Sequence, residues 1–289
     1  MANRYRRMIS SEQIGQIRKV KHLAAGHYSD LDINKTIDFY QDRYVKQLAH
    51  FYDATSASTI ADIGAGYGWL AFAFAFYTPA RIIAVETDLD RAEAGRDITQ
   101  IFGLEDRIEW RHDRLGQLEL EDNVVDVTYC IEVLEHVYGD EKAVEDLARI
   151  TRDTLILTTP NRNFPIIAHD TQLPFCHILP LGLRDRYARL FNRQGRENDN
   201  VFWTAGKVNA ILGDFEIKSR FLHYRSFSDF METLPTYLPY GRGQMIGRPG
   251  KLKRIYYSLA ARLGAKSQYI LPNIAAVYKK RARPDSLAE

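Results

Sequence analysis

Asp62-Ile63-Gly64-Ala65-Gly66-Tyr67-Gly68 is the stretch that decides how the rest of this 289-residue chain is read. It completes the short β-prone run Thr59-Ile60-Ala61-Asp62-Ile63 and leads into Trp69 to Tyr77, an apolar run of helical length. In an open α/β sheet, ligands bind where strands end, and glycines in the first strand-to-helix turn let the backbone approach them closely. The spacing separates two ligand classes. A dinucleotide turn needs G-x-G-x-x-G, and counted from Gly64 the third glycine position holds Trp69.

The same alternation continues outward from that turn. Arg81 to Glu86 reads as a buried strand, and Asp88 offers an N-cap to a helix reaching about Phe102. Arg107 to His112 and Val124 to Cys130 follow as strands, Glu141 to Arg149 as a helix, and Thr154 to Thr158 as a fifth strand ended by Pro160. A helix from Thr204 to Leu212, a strand near Phe215 to His223 and a last strand over Asn273 to Tyr278 complete the pattern. Strands separated by helices imply right-handed crossovers. The fold class expected is therefore α/β, a Rossmann-like, seven-stranded, mostly parallel sheet with helices on both faces.

The flanking segments read differently. Residues 1–55 look helical, with Ile14, Ile17 and Lys21 on one face and Tyr40, Tyr44 and Leu48 on another, and are expected to form an N-terminal helical lid. Residues 161–200 are rich in Pro, Arg and Asn and suggest an irregular insertion over the carboxyl edge of the sheet. A second accessory insertion is expected over 226–268. With no internal repeat and no low-complexity linker, 1–289 reads as a single domain with accessory segments.

Composition narrows the class. A hydrophobic content of 45% suits a globular chain, and the formal net charge of +2 hides a strong local asymmetry. From Thr233 to Pro284 there is no Asp or Glu, while Lys251, Lys253, Arg254, Arg262 and Lys266 all fall there. Within it Leu252, Ile255, Tyr256, Leu259 and Leu263 repeat at helical spacing, a basic amphipathic helix that covers the protein's own core, makes peripheral contact with an anionic membrane through 251–263, or binds an acidic acceptor. Core covering is the favoured expectation. Cys130 and Cys176 have no metal-like spacing, so neither a disulfide framework nor a metal site is read, and a reducing cytoplasm is expected. Arg4, Arg6 and Arg7 precede no apolar core, and the run Leu70 to Tyr77 is far short of the roughly 20 residues of a membrane span, so neither export nor a transmembrane segment is expected.

The loop, taken with its partners at successive strand ends, resembles the first motif of class I S-adenosylmethionine-dependent methyltransferases. That resemblance implies S-adenosyl-L-methionine as cofactor, with Asp62, Gly64, Ala65, Gly66 and Gly68 at its amino-acid end. Glu86, followed by Thr87, matches the acidic position that accepts from both ribose hydroxyls, a role suited to a carboxylate because it offers only acceptors. Asp113 and Arg114 in His112-Asp113-Arg114 match the adenine-side position. Asp126 to Val137, DVTYCIEVLEHV, resembles the fourth-strand signature of the broad small-molecule methyltransferase group and brings Glu132 to the cofactor. Enzymes that methylate the exocyclic amine of a base carry an Asn/Asp-Pro-Pro-aromatic motif there. This chain has Cys130-Ile131-Glu132-Val133, which argues against a nucleic-acid acceptor.

Methyl transfer from a sulfonium is an in-line displacement, so positioning carries most of the catalysis. An alcohol or phenol acceptor must also lose a proton, and histidine suits that task. His136, His169 and His177 are the candidate catalytic residues: His136 lies four residues beyond Glu132, which would orient it across one helical face, and the other two bracket the 161–200 insertion. Arg43 is a candidate partner for the cofactor carboxylate. The expected activity is O-methylation of a small molecule, a carbohydrate or a lipid-linked intermediate. C- or N-methylation of a small metabolite, or cofactor binding without transfer as a scaffold or regulator, stand as alternatives.

Overall fold

The computed structural model describes residues 9–23, 31–137, 141–167, 171–193, 202–220 and 250–282. The strands are β1 Thr59–Ile63, β2 Arg81–Val85, β3 Ile108–Arg111, β4 Val125–Ile131, β5 Thr151–Pro160, β6 Phe215–Ser219 and β7 Asn273–Lys280. They form one sheet in the order β3-β2-β1-β4-β5-β7-β6. β1 to β5 are parallel, and β7 runs antiparallel to both β5 and β6. The seven-stranded, mostly parallel expectation holds, with the strand order reversing beside β1, where a doubly wound sheet opens its ligand crevice.

Period-two alternation sorts each central strand between two cores. Ile60, Ile82, Val127, Tyr129 and Ile156 face one cluster. Ala61, Ile63, Ile83, Val85, Cys130, Leu155 and Leu157 face the other. Helices α1 Ser11–Ile17, α2 Ile33–Tyr40, α3 Lys46–Leu48, α4 Trp69–Tyr77 and α5 Leu89–Phe102 cover the first face. On the second lie α6 Glu141–Ile150 and α8 Ala205–Ile211. Every residue of α4 from Trp69 to Phe76 is buried, which explains why its sequence is apolar all round rather than striped.

Three expectations are modified. The 161–200 insertion is not irregular throughout, because α7 Leu181–Leu190 and a 3-10 turn over Cys176–Ile178 lie within it. The residues α7 buries are Arg184 and Ala188, while Leu181, Leu183 and Leu190 are exposed, so no apolar stripe announced the helix. In the N-terminal region Tyr40, Tyr44 and Leu48 are buried together as expected, through a π-helical segment Gln41–Val45 joining α2 to α3. Ile17 is buried, but Lys21 lies beyond the end of α1 and is exposed. The sixth strand ends at Ser219, and the remainder of the stretch assigned to it, from 221, lies outside the described residues. Among the described residues no helix is long and apolar enough to cross a membrane.

One packing detail positions the glycine loop from below. The Trp110 indole of β3 lies over Gly95 of α5, where an added Cβ would meet ring atoms at 2.2 and 2.3 Å, and its Nε1 donates to Thr99 Oγ1 at 2.8 Å. The same ring stands 2.7 Å from a Cβ built on Gly68. Replacing a helical glycine by alanine ordinarily stabilises, and Gly15→Ala in α1, with open space around it, should gain about 0.5–1 kcal/mol. Gly95→Ala should instead lose about 1–3 kcal/mol by overpacking against Trp110, measurable by urea denaturation.

Candidate cofactor and methyl-transfer site

The loop after β1 hangs from the end of β2. Gly64 and Ala65 donate their N–H groups to the Val85 carbonyl at 2.8 and 2.9 Å. Gly64, Gly66 and Gly68 all have positive φ, at 74°, 56° and 86°, a region that side chains disfavour. Gly64 is excluded from substitution by space as well, since its Cβ would stand 2.4 Å from Val133 Cγ2. Around Gly66 there is open space, which is what a cradle for a ligand requires.

Glu86 ties this turn to the next. Its Oε2 accepts from Gly66 N–H at 2.6 Å, and its Oε1 accepts from the N–H groups of Thr87 and Asp88 at 2.8 and 2.9 Å. The Thr87 hydroxyl also donates to Oε1 at a longer 3.4 Å, so a ligand hydroxyl reaching this carboxylate would replace that weak contact rather than the three amides. Asp88 then caps α5 by accepting from Arg91 N–H at 3.1 Å.

Asp62 shares the sheet face of Ile60 and lies beneath the loop, 5% exposed. Burial first, and then the charge of Glu86, push its carboxyl up to about 7, against the lowering effect of the Ala71 N–H. Its Oδ2 is buried without a hydrogen-bond partner among the described residues. An orphaned acceptor of this kind fits a ligand that brings a cationic donor to the amino-acid end of the loop.

Asp113 folds onto its own backbone, accepting from Arg114 N–H at 2.7 Å and Glu119 N–H at 2.8 Å. His112 Nε2 donates to the Thr87 carbonyl at 2.9 Å, tying the ends of β2 and β3 together. A cavity of about 310 Å³ opens at these strand ends, with Gly64, Thr87, Asp113, Arg114 and His136 on its wall. Leu115, Val133 and Val137 supply apolar lining.

The segment after β4 departs from expectation. Glu132 has a left-handed φ of 54°, and the chain then makes a 3-10 turn over Leu134–His136. Glu132 and His136 therefore do not share an α-helical face. Glu132 is instead approached by Asn273 Nδ2 at 3.5 Å and hydrogen-bonds to Glu135. Glu135 is 2% exposed and accepts from Thr159 Oγ1 at 3.0 Å. Burial, then the Glu132 charge, raise its carboxyl to about 8, so one proton sits in this pair at neutral pH. Glu135 went unassigned in the sequence because nothing in DVTYCIEVLEHV distinguishes a buried carboxyl from a solvated one.

The remaining candidates are spread more widely. His136 is exposed at the cavity wall. His177 is buried, with Nε2 donating to the Arg162 carbonyl at 2.8 Å and its ring edge-on to Phe202, and it is not among the residues that line the cavity. His169 lies outside the described residues. Arg43 sits in the π-helical segment with its guanidinium over the Phe39 and Tyr44 rings, at 5.7 and 5.9 Å. The N-terminal segment does reach the loop, since Tyr67 OH donates to the His22 carbonyl at 3.4 Å.

Residues 61–157, which hold the glycine loop, Glu86, Asp113 and the Glu132–Glu135 pair, match a family model described as a methyltransferase domain. The chain is 26% identical over 111 residues to the methyltransferase GfsG of Streptomyces halstedii, a match covering 38% of this chain and 40% of that protein. It is 24% identical over 161 residues to a glycine/sarcosine/dimethylglycine N-methyltransferase of Actinopolyspora halophila, covering 54% of this chain and 28% of that one. The matches thus span less than half the length of these relatives. Among solved structures, the YcgJ protein of Bacillus subtilis shares the fold, with a TM-score of 0.50 and 17% identity over 84% of this chain and 99% of that one. Residues 61–157 thus carry a methyltransferase domain within a Rossmann-like fold, and S-adenosylmethionine is the cofactor that its loop fits.

The raised carboxyls set a pH dependence. Between the ordinary value of 4.5 and about 8, folded Glu135 keeps a proton that the unfolded chain releases, so its contribution to stability is complete at low pH and declines as pH rises through that window. Asp62 acts in the same direction from 3.8 to about 7. The urea midpoint should fall from pH 5 to pH 8, and fall less in Glu135→Gln; parallel pH profiles for the two proteins would contradict the assignment.

Proposed function

We propose that this protein is an O-methyltransferase of a small molecule, a carbohydrate or a lipid-linked intermediate, in which His136 takes the acceptor's proton. The observation that supports this reading is the exposed imidazole of His136 on the wall of the cavity that also contains Gly64 and Thr87. When bound, S-adenosylmethionine supplies an electrophilic methyl on a sulfonium. The residues of this chain do the rest: Glu86 accepts from the ribose hydroxyls, Asp62 faces the cationic amino-acid end, and Asp113 and Arg114 stand on the adenine side with Leu115 and Val133 as apolar walls. Arg43 remains the proposed partner of the cofactor carboxylate, and Thr87 and Glu132 its further neighbours. The whole chain is read as one domain with its lid and accessory segments, working in the cytoplasm or at the membrane face of it.

A second reading is N- or C-methylation of a small metabolite. The N-methyltransferase relative favours it, as does the Glu132–Glu135 pair, whose negative charge suits an amine. The two readings differ in what His136 does. For an O-acceptor, His136→Ala should slow transfer about 10²–10⁴-fold, whereas an N- or C-acceptor would be methylated at nearly the parent rate. The assay is a screen of cell extracts with labelled S-adenosylmethionine, followed by mass spectrometry of the product. Absence of any labelled product from a protein that binds the cofactor would favour the scaffold alternative.

Cofactor binding can be measured separately. By calorimetry, Gly66→Arg and Glu86→Ala should each weaken S-adenosylhomocysteine at least about tenfold, because one fills the open cradle and the other removes the carboxylate that joins the two turns. Unchanged affinity in both would overturn the site.

A further inference from the structure

The last helix described, α9 Lys251–Arg262, turns its apolar stripe outward. Leu252, Ile255, Leu259 and the C-cap Leu263 are 84%, 49%, 55% and 50% exposed, while Ala260 is the residue the helix buries. At 3.6 residues per turn these four fall within an arc of about 80°. The favoured expectation, that this stripe covers the protein's own core, is therefore corrected for the described residues: the core contact is made by Ala260 and the half-buried Tyr256 and Tyr257 instead.

Lys251 and Arg262, both exposed, border one side of the stripe; on the other side Tyr256 and Ala260 make the core contact, and the exposed Lys253 lies beyond them. Among the described residues none of Lys251, Arg254 and Arg262 forms an ion pair, and Lys253 lies over the Tyr257 ring at 5.8 Å. No acidic residue occurs from Thr233 to Pro284, so nothing in this stretch of sequence neutralises them. The helix is anchored at the carboxyl edge of the sheet: Tyr256 packs against Phe164 at 6.2 Å, four residues beyond the end of β5. The same post-β5 segment exposes Ile166, Phe175 and Ile178.

We propose that α9 docks on an anionic lipid surface, its leucine and isoleucine stripe entering the acyl boundary and its lysines and arginines meeting the headgroups. Charge complementarity selects this occupant. An exposed apolar stripe bordered by Lys251 and Arg262, with Lys253 and Arg254 exposed further round the helix and no acid in the stretch, matches a plane that is apolar beneath and negative above, the arrangement by which interfacial helices bind. An acidic protein partner would need to present an apolar groove with an acidic rim matched to Lys251 and Arg262. Docked in this way, the protein holds the edge of the sheet that carries its cavity close to the surface, where an amphiphilic acceptor is concentrated. The inference does not depend on which atom is methylated.

The test is flotation of the full chain with phosphatidylcholine vesicles containing about a third phosphatidylglycerol, against pure phosphatidylcholine, at low salt. The protein should float with the anionic vesicles alone, and binding should fall at least about tenfold at 0.5 M salt, since screening removes the headgroup attraction. Leu252→Glu/Leu259→Glu and Lys251→Glu/Arg262→Glu should each reduce flotation about tenfold while keeping circular dichroism and S-adenosylhomocysteine affinity, which separates lost docking from lost folding. Failure of the parent protein to float would overturn the proposal, as would equal flotation of the Leu252→Glu/Leu259→Glu protein. So would a concentration-dependent dimer in sedimentation that those substitutions abolish, which would assign the face to a second copy of the chain.

Discussion

The carboxylate of Glu86, held by the amides of Gly66, Thr87 and Asp88, is the interaction on which the site depends. It joins the turn after β1 to the turn after β2, two segments that meet in space because the strands are parallel neighbours with Ile63 beside Val85. A charged acceptor on backbone donors is stronger than a neutral pair. Burial first, and then the Glu86 charge, hold the Asp62 carboxyl up to about 7, so the carboxylate that joins the two turns adds to the cost of ionising its neighbour. A cationic ligand end beside Asp62 would relieve that tension.

Parallel pairing explains why this carboxylate lies where it does. With β1 between β2 and β4, the loops of three neighbouring strands converge on one edge, and Asp62, Glu86 and Glu132 all stand at strand ends there. The core beneath is rigid in the sense that α4 is buried on every side and Trp110 fills the space that Gly95 and Gly68 leave. Loops on such a base can be held to the close tolerance that an in-line transfer needs.

Much of this was legible in the sequence because the physics is local. The run Thr59 to Tyr77 carries its own strand, turn and helix signals, and Asp88 declares its cap. The signals failed where packing is decided at a distance. Arg184 and Ala188 are the buried positions of α7, so that helix showed no stripe, and α9 showed a stripe whose burial the sequence did not settle. In the site, Glu132 was expected to orient His136 because four residues make a helical turn; its left-handed backbone and the 3-10 turn that follows send it to Glu135 and Asn273 instead. The burial of His177, with its Nε2 on the Arg162 carbonyl and its ring edge-on to Phe202, was likewise not visible in the sequence. The glycine loop, Glu86 and Asp113 could be singled out because the family resemblance attaches to residue types at successive strand ends, and the strand ends themselves are legible locally.

The most direct test of the central claim is amide hydrogen exchange with and without S-adenosylhomocysteine. If the Asp62–Gly68 loop and Glu86 form the cofactor site, added protection should concentrate at the amides of Gly64 to Gly68 and of Thr87 to Asp88, with a smaller effect at Asp113 to Leu115. Binding that left those amides unchanged and protected residues elsewhere would contradict the account.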